Sequence, residues 1–210
     1  MTSKRSVLYS FRRCPYAIRA RLALNYAQIN VELREVKLKN KPPQMLAVSP
    51  KGTVPVLLTS HDDIIEESLE IMYWALAQHD PEKWLHENKQ IEIKALISKN
   101  DGEFKYYLDR YKYADRFPEF SEKFYRQKGE VFLMELEQLL NKHKFLQKDT
   151  LSLADMAIFP FIRQFANVDS HWFAQANYPK LQGWLQSLLD SELFIGVMEK
   201  YPPWDFQVNE

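Results

Sequence analysis

The residues best suited to chemistry in this 210-residue chain stand together in Tyr9-Ser10-Phe11-Arg12-Arg13-Cys14-Pro15-Tyr16-Ala17, around its only cysteine. A thiolate is the nucleophile and a thiol is not, so the surroundings of Cys14 decide whether it reacts. The apolar run from Val7 to Phe11 predicts a short buried strand, and a basic turn follows it. Pro15 then opens a helical pattern with Ile18, Leu22 and Tyr26 spaced by four. Proline suits the first helical position because its missing N–H has no partner there in any case. Cys14 therefore falls at the N-cap, facing unpaired backbone N–H groups and the positive end of the helix dipole, an environment that favours the anion. Arg12 and Arg13 strengthen that field if either side chain turns inward. The plainer alternative is a small buried hydrophobe, the commoner fate of a lone cysteine.

The position also resembles a Cys-x-x-Cys redox site in which Ala17 replaces the second cysteine. A chain with one cysteine closes no internal disulfide, so a mixed disulfide on Cys14 has to be resolved by an outside thiol. Chemistry at Cys14 thus calls for a small thiol cosubstrate. Other chemistries lack their residues. The five glycines form no phosphate-cradling loop, and no Gly-x-Ser-x-Gly elbow is present. His61, His79, His86, His143 and His171 have no short metal-type spacing, and one cysteine cannot build a thiolate zinc site, so no metal is expected.

The elements that must position Cys14 follow in order. Val31 to Leu38 alternates loosely and predicts a second strand, ended by Lys39-Asn40-Lys41-Pro42-Pro43. A short turn or helix leads to the breaker cluster Ser49-Pro50-Lys51-Gly52, and Thr53 to Leu58 predicts a strand with Pro55 near its start. A cis Pro55 leaves the Val54 backbone free for a ligand, although base rates favour trans. Ile64-Ile65 predicts a fourth strand, and Ser68 a helix N-cap over residues 69–78. Ser68 and its neighbouring N–H groups alternatively hold a substrate carboxylate. Strand, helix, strand, helix, hairpin, helix predicts a small mixed sheet over residues 1–80. Residues 81–88 look like a linker, and residues 89–210 carry only helical patterns.

In that second half, the stripe Tyr106, Tyr107, Tyr111 and Tyr113 reads as core or as pocket lining. Gly102 weakens its helix locally. Ser152 at an N-cap with Asp155 three residues on forms a structural capping box before an all-apolar helix, Ala157 to Ile162, that has to be buried.

Composition agrees with a folded chain and narrows the partners. Hydrophobic residues make up 46% and aromatics 14%, enough for real cores. Lysine plus arginine equal aspartate plus glutamate at 28 each, so there is no basic surplus to suit nucleic acid. No apolar run is long enough to span a bilayer or to act as a signal peptide, so no membrane partner and a cytoplasmic location are expected.

With these residues in view, the chain resembles the cytosolic glutathione transferases, nearest the omega class with its cysteine. The motifs that carry the likeness are Cys14-Pro15-Tyr16-Ala17, Leu38-Lys39-Asn40-Lys41-Pro42, Val54-Pro55-Val56, Glu67-Ser68, and Ser152-x-x-Asp155 with Ile158-Phe159-Pro160-Phe161. The resemblance implies a thioredoxin-like α/β domain followed by an all-α domain, and glutathione as cosubstrate rather than a permanently bound cofactor. It implies a cis Pro55, with the Val54 backbone on the cysteinyl part of glutathione. It further implies Glu67 and Ser68 on the γ-glutamyl end, Lys41 on the glycyl carboxylate and Cys14 against the sulfur. The implied activity is thiol transfer or dehydroascorbate reduction through a Cys14–glutathione mixed disulfide. The second substrate, a small molecule or a glutathionylated thiol, is expected near Tyr16, Tyr107 and Tyr111, and a homodimer is the common family state. Two alternatives stay open: a transferase that conjugates glutathione to small hydrophobic electrophiles, and a non-catalytic interaction module. Tyr9 and Ser10 fall within the strand and are weak candidates for catalysis.

Overall fold

The computed structural model describes residues 5–205, which form two compact units. Residues 5–81 and 192–205 make the first, and Glu82–Ser191 the second. Residues 1–4 of the expected first domain and 206–210 of the expected second lie outside the described residues.

The first unit runs β1 (Ser6–Ser10), α1 (Pro15–Tyr26), β2 (Val31–Glu35), α2 (Pro43–Val48), β3 (Val56–Leu58), β4 (Ile64–Ile65) and α3 (Ser68–Gln78). The sheet order is β2-β1-β3-β4. β1 is parallel to β2 and antiparallel to β3, and β3 is antiparallel to β4, giving the small mixed sheet that the element order predicts and the thioredoxin-like arrangement that the resemblance implies. Central β1 is buried along its whole length. Successive side chains of a strand point to opposite faces. Val7 and Tyr9 accordingly join Met45 and Val56 in one cluster, while Leu8 shares a small cavity with Leu24 of α1.

In the second unit, α4 (Gln90–Lys99) passes through a π-helical turn at Asn100–Phe104 into α5 (Lys105–Lys112). That turn contains Gly102, where the sequence predicts local weakness. There follow α6 (Glu122–Lys142), α7 (Leu153–Ala166), α8 (Ser170–Gln175) and α9 (Pro179–Leu189). Helix α7 is buried almost throughout. Its approach to α6 requires Gly129, where a Cβ would stand 2.5 Å from Phe165 Cε2. Ser152 is the N-cap of α7, and Asp155 in the first turn is wholly buried. The Asp155 carboxylate accepts four hydrogen bonds: from Ser152 N–H (2.9 Å), Ser152 Oγ–H (2.6 Å), Leu146 N–H (2.9 Å) and Trp184 Nε1–H (2.9 Å). Burial pushes this carboxyl up from its ordinary value, and the four donors pull in the opposite direction.

The expected domain limits shift at both ends. Residues 82–88, read as linker, belong to the helical unit because Trp84 is buried in it (1% exposed) and accepts Leu153 N–H at its carbonyl (3.0 Å). An indole of that size gains more from burial than a tether does from freedom. At the other end, α10 (Glu192–Val197) packs on α1 and leaves the helical domain. The chain then runs to Trp204, whose N–H donates to the Glu35 carbonyl (2.8 Å) and whose ring lies 4.1 Å from the Arg34 guanidinium. The tail therefore covers part of edge strand β2, which would otherwise present unpaired backbone groups.

Candidate thiol site

Cys14 is the N-cap of α1, with extended backbone (φ −73°, ψ 123°) and Pro15 next in the helix. Its N–H donates to the Phe11 carbonyl (3.0 Å) and its own carbonyl accepts Ile18 N–H (2.9 Å), so both sides of the turn are fixed. The side chain is half-buried. Its sulfur makes no capping hydrogen bond to the first turn of α1; instead the thiol donates to the Val54 carbonyl across 3.8 Å. The helix start thus supplies a field at the sulfur rather than a direct bond.

The Val54–Pro55 peptide bond is cis, the form the family resemblance implies. Strand pairing begins one residue later, at Val56 opposite Tyr9, so Val54 stands outside the ladder. The preceding loop turns through Gly52 at φ +62°, where a side chain would be strained. Lys41 lies over that glycine, with Nζ 3.4 Å from where a Cβ would be.

Two contacts tie this loop to the start of α3. Ser49 Oγ donates to Glu66 (2.5 Å), and Lys51 Nζ meets Glu67 Oε1 at 2.5 Å. The bond to Glu67 raises the Lys51 ammonium above its ordinary value. The sequence pattern puts the N-cap at Ser68, but Glu67 occupies it and Ser68 is the first helical residue. The reason is a partner from another helix: Ser68 Oγ, nearly buried, accepts Arg19 Nε–H at 3.0 Å. Arg19 also lies over the Tyr16 ring at 5.1 Å, so Tyr16, Arg19 and Ser68 form one stack.

In the helical unit, Tyr107 is half-buried and meets Tyr106 edge-on at 5.1 Å. Tyr111, expected at a pocket, is a core residue: it is 1% exposed and its ring lies 4.9 Å from that of Phe165. The hydroxyls of Tyr9 and Ser10 are both engaged by arginines, at 2.8 Å from Arg34 Nη1 and 2.5 Å from Arg21 Nη1. Three of the residues around this site, Lys51, Arg19 and Arg21, carry no sequence signal, because their partners lie far away along the chain.

The arrangement suits a small peptide that carries both charges and a thiol. A carboxylate and a hydroxyl at a helix start complement an amino-acid end, an outlying lysine complements a distant carboxylate, and an unladdered backbone pairs with the peptide between them. Among the described residues, no group of three or more His, Cys, Asp or Glu is gathered to hold a metal ion, and no helix is long and apolar enough to cross a membrane.

The family model for the glutathione S-transferase N-terminal domain matches residues 8–84, and that for the glutathione S-transferase C-terminal domain matches residues 102–192. The chain belongs to the glutathione S-transferase family. It is 26% identical over 216 residues to glutathione S-transferase omega-2 of Rattus norvegicus, which covers 92% of this chain and 83% of that one. It is 24% identical over 204 residues to glutathione S-transferase U19 of Arabidopsis thaliana (89% and 86%). In fold it is similar to a glutathione transferase family member from Pseudomonas fluorescens with two glutathione bound. That likeness has a TM-score of 0.81 and 18% identity, covering 95% of this chain and 94% of the other.

Proposed function

We propose that this glutathione S-transferase is an omega-like thiol transferase that works through a mixed disulfide between Cys14 and glutathione. The observation that carries the reading is the half-buried Cys14 sulfur at the start of α1, against the backbone of Val54. Glutathione lies along Val54 and Pro55, with its γ-glutamyl end at Glu67 and Ser68 and its glycyl carboxylate at Lys41. The Cys14 thiolate attacks the glutathione sulfur of a glutathionylated substrate. A Cys14–glutathione disulfide forms, and the substrate thiolate leaves and takes a proton. A second glutathione, as thiolate, attacks the glutathione sulfur of that disulfide. Oxidised glutathione departs and the Cys14 thiolate is restored. No other cysteine competes for the resolving step. Dehydroascorbate reduction uses the same thiol and the same two equivalents of glutathione.

Tyr16, two residues after Cys14 on α1, is proposed as a contact for the second substrate. A homodimer in the cytoplasm, where glutathione is abundant and reduced, belongs to the same reading. The rival reading, conjugation to a hydrophobic electrophile, needs a hydroxyl near the sulfur, and those of Tyr9 and Ser10 are held by arginines.

The test is turnover of a glutathione-mixed disulfide by wild type and Cys14→Ser. The reading expects the variant to lose turnover while still binding glutathione in a calorimeter. Turnover that survives the substitution overturns it, and activity toward an aromatic halide in Cys14→Ser favours conjugation. Failure of both proteins to bind glutathione returns the interaction-module alternative.

A further inference from the structure

Arg21 is a cation with 6% of its surface exposed, on a helix where the sequence pattern predicts only an apolar face. Its guanidinium is fully occupied. Nε–H donates to the Val197 carbonyl of α10 at 3.0 Å. Nη1 donates to Ser10 Oγ (2.5 Å) and the Phe11 carbonyl (3.5 Å). Nη2 donates to the Arg12 carbonyl (2.8 Å) and lies 3.8 Å from Met198 Sδ. One side chain therefore grips three consecutive residues, the last of β1 and the first two of the turn that delivers Cys14, and with the same planar fork grips the end of α10.

A second strap runs beside it. Glu35 accepts Arg12 N–H at its carboxylate (2.8 Å) and Trp204 N–H at its carbonyl (2.8 Å). The Arg12 N–H and carbonyl are thus both held by groups that also hold residues 192–204. Burying an arginine without a bonded carboxylate is unfavourable. Here burial pushes its value down from the ordinary arginine range to about 10, opposed by the charges of Glu35 and then Cys14. A cation kept in place at that cost, within electrostatic reach of the one thiol, calls for a reason beyond packing.

We propose that Arg21 is a positioning residue for Cys14, fixing the Ser10–Arg12 segment to the C-terminal segment so that the thiol is held at the helix start and exposed to a buried positive charge. The proposal rests on the reading of Cys14 as the nucleophile, and it makes residues 192–204 part of the thiol site's support although they are distant in sequence.

The test is the rate of Cys14 alkylation by iodoacetamide across pH, which needs no glutathione, in full-length wild type, Arg21→Met, Arg21→Lys and Glu35→Ala. Circular dichroism and urea midpoints identify the variants that fold. Arg21→Met is expected to move the pH profile upward and slow alkylation at neutral pH roughly tenfold, which corresponds to about 1.4 kcal/mol lost from the thiolate. Arg21→Lys, which keeps the charge and loses the fork, is expected to fall between. Glu35→Ala, which frees Arg12 N–H but leaves Arg21 intact, changes the rate in a protein that keeps its buried arginine, and it decides the matter if both Arg21 variants fail to fold. An unchanged profile in every folded variant overturns the proposal. The nucleophile reading itself is judged separately, by whether wild type forms a disulfide with glutathione.

Discussion

The thiol of Cys14 donates to the carbonyl of Val54 across 3.8 Å, joining the helix start that follows β1 to the loop before β3. The backbone that is proposed to receive the cysteinyl part of glutathione is therefore already in contact with the thiol. Under the proposed mechanism a bound peptide would take over that contact, and ionisation of Cys14 would end its donation to Val54.

Lys51 holds the Glu67 carboxylate that the proposed ligand needs for its ammonium group. On that proposal glutathione competes with Lys51 for this carboxylate. Lys51→Met is expected to tighten glutathione binding about two- to fivefold, the scale of an exposed ion pair. Calorimetric titration of both proteins checks this, and weaker binding by the variant assigns Lys51 to the ligand instead.

Asp155 predicts a pH dependence of stability with a definite sign. Its folded value is raised above the ordinary 3.8, so the folded chain holds this proton more tightly than the unfolded chain. The stabilisation is complete below 3.8 and declines as pH rises through the folded value. Urea unfolding should show the advantage of wild type over Asp155→Asn shrinking as pH increases from the acid side. Asp155→Ala strands the donors from Leu146, Trp184 and Ser152 and should cost about 3 kcal/mol or more at neutral pH.

Two glycines should respond in opposite directions. Alanine at Gly129 drives a Cβ into the Phe165 ring, so Gly129→Ala should destabilise by about 1–3 kcal/mol. Gly183, inside α9, has open space around the missing Cβ. Gly183→Ala should stabilise by about 0.5–1 kcal/mol, since glycine is a poor helix former. Thermal or urea midpoints of the two variants separate these outcomes.

Features that depend on neighbours in sequence are legible without the structure. Proline after Cys14 announces an N-cap, the apolar run announces β1, and Ser152 with Asp155 announces the start of α7. Features settled by distant partners are not. Arg19 draws the Ser68 hydroxyl away from a capping position, from 49 residues off. The return of α10 and Trp204 to the sheet unit depends on Arg21 and Glu35, whose own sequence contexts look like ordinary helix and strand. Tyr111 sits on a stripe whose spacing favours core but also fits a pocket, and the position of Phe165 assigns it to core.

The most direct test of a Cys14–glutathione intermediate is intact-protein mass after brief incubation of the reduced chain with oxidised glutathione. The mechanism predicts one added glutathione per wild-type chain, removed by excess reduced glutathione and absent from Cys14→Ser. A wild-type mass that stays unchanged while the protein remains folded contradicts it.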